Sequence, residues 1–131
     1  MAVPQRLESG KRLADDDTLN GILATPQWQT TTGIVASSAA LSADTPVLNL
    51  GSNVVSSGSG AANVALPVAV PGSVIFVANA SGGSITINTA FNSGDFINAT
   101  STTTTYSLAD NKRLILIAVD TVSWYTILTA I

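Results

Sequence analysis

The sequence predicts an all-β protein, a small antiparallel β-sandwich or barrel with an extended N-terminal arm. Three observations carry that expectation. Ser84-Ile85-Thr86-Ile87-Asn88-Thr89 alternates apolar and polar residues with a period of two, the mark of a strand with one buried face. Residues 73–78 and 114–119 are continuous apolar runs, which at this length fit strands covered on both faces by the fold or by a neighbouring subunit. Turn chemistry separates the runs: Ala80-Ser81-Gly82-Gly83, Asn92-Ser93-Gly94, Asp110-Asn111 and Asp120-Thr121 punctuate what reads as a meander of hairpins.

Taken in order, the first element is the arm, residues 1–28, ahead of a β domain over 29–131. Arg6, Glu8, Lys11, Arg12, Asp15, Asp16 and Asp17 are seven of the chain's 13 charged residues, and domain edges tend to fall where composition shifts. Asp15-Asp16-Asp17-Thr18 precedes Leu19, Ile22 and Leu23, a helix-capping pattern followed by apolar residues at helical spacing. Asn20-Gly21 and Pro26 keep such a helix short, so it would need a partner surface to be stable. Consecutive carboxylates diverge in direction, which makes capping a better reading of the Asp cluster than cation binding.

Within the domain, Ile34-Val35-Ala36 and Val47-Leu48-Asn49-Leu50 are expected strands, and Ser56-Ser57-Gly58-Ser59-Gly60 a loop. The run Thr100-Ser101-Thr102-Thr103-Thr104-Thr105 suits an extended linker or an exposed edge strand, because β-branched threonine favours extended backbone; binding of sugar or ice by its hydroxyls is the alternative. Phe76, Ile115, Ile117, Trp124 and Tyr125 are the candidates for core or subunit-interface packing, with stacking of Trp124 or Tyr125 on a carbohydrate as the alternative.

Composition narrows the function. The 131 residues are 46% apolar with a mean hydropathy of +0.40, yet only 10% are charged, against roughly 25% in an ordinary soluble domain. Ser, Thr, Asn, Gly and Ala must therefore form most of the surface, as in proteins whose surfaces face other subunits. No run approaches the roughly 20 apolar residues of a membrane-spanning helix, so no membrane partner is expected. The start of the chain lacks the apolar core of a secretory signal, and synthesis in a cytoplasm is the expectation. A net charge of −3 and a pI near 4.4 disfavour nucleic acid, whose phosphates call for a basic surface.

The chain contains no His and no Cys, which excludes Ser-His-Asp and Cys-His catalysis and His- or Cys-ligated metals. The β domain's acids, Asp44, Asp95, Asp110 and Asp120, all sit beside turn-forming residues, where Asp bonds its own backbone. A carboxylate-pair glycosidase is thus disfavoured, and neither an enzyme nor a cofactor is expected. Lys112-Arg113 reads as a solvated pair blunting a strand edge, with contact to an acidic partner as the alternative.

The C-terminal half resembles a β module of tailed-bacteriophage virion proteins, chiefly capsid decoration (cement) proteins and head-fibre subunits. The pieces, in order, are the segment 72–81, then Ile85-Thr86-Ile87, Asp95-Phe96-Ile97-Asn98, Tyr106-Ser107-Leu108, and Lys112-Arg113-Leu114-Ile115 leading to Trp124-Tyr125. The resemblance covers 72–131 and consists of strand and turn patterns. It implies a virion subunit made in the host bacterial cytoplasm, homotrimeric, bound to the major capsid protein on the outer surface of the shell. On that reading Arg6, Lys11, Arg12, Asp15, Asp16 and Asp17 form the capsid-docking arm, while the apolar strands make the self-contacts. A phage fibre or adhesin-type module that binds glycans is the rival expectation.

Overall fold

The computed structural model describes residues 29–58, 62–98 and 102–129. The expected arm, with its capping cluster and docking residues, lies outside them. The described chain is all-β. Nine strands form: β1 (Thr30–Val35), β2 (Gly51–Ser57), β3 (Ala62–Ala65), β4 (Val74–Asn79), β5 (Ile85–Asn88), β6 (Phe96–Ile97), β7 (Thr105–Leu108), β8 (Arg113–Ala118) and β9 (Ser123–Thr129). They make a six-stranded sheet in the order β1-β2-β4-β8-β9-β6 and a three-stranded sheet in the order β3-β5-β7.

The expected antiparallel sandwich or barrel is not what forms. The chain passes back and forth between the sheets, and successive passes stack in parallel: β1 on β2, β2 on β4, and β3 on β5. Thr30 pairs with Ser52, Gly51 with Ile75 and Ala62 with Ile85, so one coil takes 22 to 24 residues. This is a β-solenoid-like arrangement, closed by the antiparallel strands β7, β8 and β9. A parallel neighbour needs a crossover of a dozen or more residues, usually a helix; here a strand of the opposite sheet serves between β2 and β4 and between β3 and β5, and a segment held only by the bridges at Ser37 and Val47 serves between β1 and β2.

The hairpin expected at Asp120-Thr121 forms, joining β8 to antiparallel β9, but at 80–83 a side-chain amide turns the corner instead. After β4, buried Asn79 donates through Nδ2 to the Gly83 and Leu108 carbonyls at 2.7 and 2.9 Å, and its Oδ1 accepts from the Ser81 amide and hydroxyl. These bonds send residues 80–83 across to β5 instead of back beside β4. Before β2, Asn53 Oδ1 accepts from the Asn49 amide at 2.9 Å, and its Nδ2 reaches the Asn49 and Phe76 carbonyls. The Ser-rich segment expected as a loop begins as the end of β2. Gly58 follows it, where an added Cβ would lie 2.8 Å from the Ala62 Cβ, so the turn from β2 to β3 requires glycine's bare backbone. The expected strand at 47–50 is reduced to a bridge between Val47 and Ala65.

The core lies between the sheets. Val55, Ile75, Val77, Leu114, Leu116 and Trp124 from the larger sheet meet Val64, Ile85, Ile87 and Leu108 from the smaller, all fully buried. The period-two reading of residues 84–89 is met, since Ile85 and Ile87 both point inward. The threonine run ends on β7, an edge strand with exposed Thr105.

Candidate functional site

Strand alternation that turns one set of residues into the core turns the other set outward. On β2, β4, β8 and β9 the outward set is mostly apolar, and register aligns it in rows. Val74, Ile117 and Tyr125 form one row; Ser52, Phe76, Ile115 and Ile127 the next; Val54, Ala78 and Arg113 the third. Arg113 is the only charged residue in these rows, and it stands at one corner. Tyr125 and Ile127 are 41% and 52% exposed and form a ridge along β9. Beside them, Ser52, Val54, Phe76, Ala78, Arg113 and Ile115 border a shallow depression of about 430 Å³.

Around the end of the sheet where β2, β4 and β9 begin and β8 finishes, Leu50, Val70, Val119 and Val122 continue the apolar surface, all exposed. The smaller sheet is opposite in character. Its outward rows are Asn63, Thr86 and Ser107, then Ala65, Asn88 and Thr105, hydroxyls and amides except for one alanine, with Asn63, Ala65 and Asn88 buried. Asn88 Nδ2 donates to Asn63 Oδ1 at 3.0 Å, and Asn63 Nδ2 to the Ala39 carbonyl at 2.9 Å, tying successive coils together. One face is thus hydrophilic without charge, and the other is apolar.

Of the residues singled out from the sequence for packing, Phe76, Ile115, Ile117 and Tyr125 share the outward face. Trp124 does not. It is fully buried between the sheets, because it neighbours Tyr125 and adjacent strand residues point to opposite sides. Stacking of Trp124 on a carbohydrate is excluded by that burial. Val54, Val74, Ala78 and Ile127 belong to the face but were not singled out; counting alternate residues from Phe76 and Tyr125 finds Val74, Ala78 and Ile127.

Among the described residues no cluster of three or more acidic, His or Cys side chains could hold a metal ion. The acids are spread, and three of them accept from backbone amides. Asp120 Oδ1 accepts from the Val122 amide at 2.8 Å within its own turn. Asp110 Oδ1 instead accepts from the Gly82 amide on a facing loop, at 2.9 Å. Buried Asp95 likewise reaches across the chain, its Oδ2 accepting from the Ala69 amide at 2.9 Å, where the sequence had suggested bonding within its own turn.

The Val122 amide, aided by bonds from Ser123, holds the Asp120 carboxyl below its ordinary value. A carboxylate with a lowered folded-state pKa adds stability above the unfolded value, near 3.8, and loses it as pH falls through the folded value. Asp120→Asn is expected to remove this small gain at pH 7 and so flatten the acid-side loss, the two proteins converging toward pH 2, as urea midpoints measured from pH 7 down to pH 2 would reveal.

Comparison with protein-family models, curated proteins and solved structures found no match to this chain.

Proposed function

We propose that the chain is a structural virion protein, a capsid decoration or cement subunit that associates with itself and docks on the outer surface of a phage capsid. The observation that carries this reading is the apolar outer face of the six-stranded sheet. Contiguous exposed apolar patches of several hundred Å² mark interaction surfaces. The scarcity of charge and the resemblance of 72–131 to virion β modules support the same reading. The mechanism is linkage: a subunit that binds the assembled lattice and not its free pieces shifts the equilibrium toward the intact shell. Neither a cofactor nor a reaction is involved. The arm bearing Arg6, Lys11, Arg12 and Asp15-Asp16-Asp17 supplies the capsid contact in this proposal, and the major capsid protein is the partner.

The test is sedimentation of the purified chain with undecorated tailed-phage capsids. Saturable binding that raises the temperature at which the shells rupture is the expected result, and deletion of residues 1–28 should abolish it. A chain that stays in the supernatant at every capsid concentration would overturn the proposal.

A further inference from the structure

We infer that the outer face of the six-stranded sheet is the contact between copies of this chain, the Tyr125–Ile127 ridge of one copy lying in the Ser52–Val54–Ala78 trough of the next. The inference deepens the assembly role proposed above, on which it rests for its setting. It commits to a second copy on two grounds, shape and charge.

Ridge and trough stand side by side on one face. Tyr125 and Ile127 project from β9, while Ser52 and Ala78, the small members of their rows, sit over the depression on β2 and β4. A surface that carries both halves of a fit can match a copy of itself, reciprocally in a two-fold pair or in succession around a closed ring. A partner of other composition would need to supply each half separately.

Charge points the same way. The rows hold no acid, and Arg113 lies at their corner, so two copies meet without opposing arrays of like charge across the centre. Interface cores are depleted of charge in the same manner. The smaller sheet's outward face, with Thr86, Ser107 and Thr105, keeps its hydroxyls toward water and offers no comparable apolar area.

The area also fits. Four strands about 4.8 Å apart and six residues long at about 3.3 Å each span on the order of 400 Å². That is about half of the roughly 800 Å² each partner contributes to a standard interface. Leu50, Val70, Val119 and Val122 continue the patch around the sheet end and supply further apolar area.

The experiment is light scattering on the full chain at tens of micromolar, where a mass that is a multiple of 13.3 kDa is expected. Tyr125→Glu and Ile127→Glu should each weaken self-association at least about 30-fold, the measure of an interface hot spot, with circular dichroism unchanged. Thr86→Glu, on the other sheet, should leave the mass as it was. Geometry is read separately, because the chain has no cysteine: a mixture of Tyr125→Cys and Ala78→Cys proteins should form a mixed disulfide on mild oxidation, and a mixture of Tyr125→Cys and Thr86→Cys should not. A 13.3 kDa monomer, or an oligomer indifferent to both glutamate variants, would overturn the inference. Capsid binding separates it from the functional proposal. A monomer that decorates capsids removes this contact and leaves the cement reading standing, whereas a ridge-dependent oligomer that ignores capsids supports the contact and removes the cement reading.

Discussion

Trp124→Ala is expected to destabilise the fold by about 3–5 kcal/mol, the range for emptying a large aromatic site in a packed core. Trp124 is the largest fully buried side chain, and its backbone pairs both with Ala118 on β8 and with Ile97 on β6. The vacated space lies where two strands of the larger sheet meet the core, so neighbouring side chains cannot collapse into it without shifting β6. Trp124→Phe gives the informative contrast. The Trp124 indole Nε1 is buried with no acceptor among the described residues, and phenylalanine removes that unmatched donor along with part of the ring. The two effects oppose each other, and a loss of about 1 kcal/mol or less is expected. Urea unfolding of both variants at one fixed protein concentration checks the pair. Equal losses would mean that ring volume is not what the site requires.

The second large effect is expected at Asn79. Replacing it with alanine removes the amide's bonds to the Gly83 and Leu108 carbonyls and frees the Ser81 amide, leaving the Gly83 carbonyl only the Ser81 hydroxyl. A buried polar group left without a partner costs about 1–3 kcal/mol, so about 3 kcal/mol is expected for the variant. Ser81→Ala removes only one hydroxyl from this corner and should cost about 1 kcal/mol or less. If Asn79→Ala proves no worse than Ser81→Ala in thermal or urea unfolding, the amide does not hold the corner between β4 and β5.

These two residues also mark how far the sequence could be read. The strands around Ile75, Ile85 and Leu116 were legible because alternation and apolar runs report which residues are buried. Neither reports the neighbour's direction. The parallel stacking of β1, β2 and β4 recurs every 22 to 24 residues without a repeated residue pattern, so the coils leave no trace in the sequence. Asn79 was assigned neither to the run 73–78 nor to the turn that begins at Ala80, although it continues the inward parity of Ile75 and Val77; an amide in that series signals a corner bonded from inside. The candidate site was partly legible. Phe76, Ile115, Ile117 and Tyr125 were identified, but grouping Trp124 with Tyr125 overlooked that neighbours on a strand serve opposite faces.

The position of β8 has a consequence for how the chain is made. It is the eighth strand in sequence but lies between β4 and β9 inside the larger sheet, and it alone joins β1-β2-β4 to β9-β6. During synthesis the early coils emerge and wait, and the sheet's two halves become one only when Arg113–Ala118 has left the ribosome. Most pairings close long loops, which slows folding, and the joining strand comes late. A product truncated ahead of Arg113 therefore loses the middle of its sheet and not a dispensable edge, and the apolar surface and unpaired strand edges it exposes make it prone to aggregate.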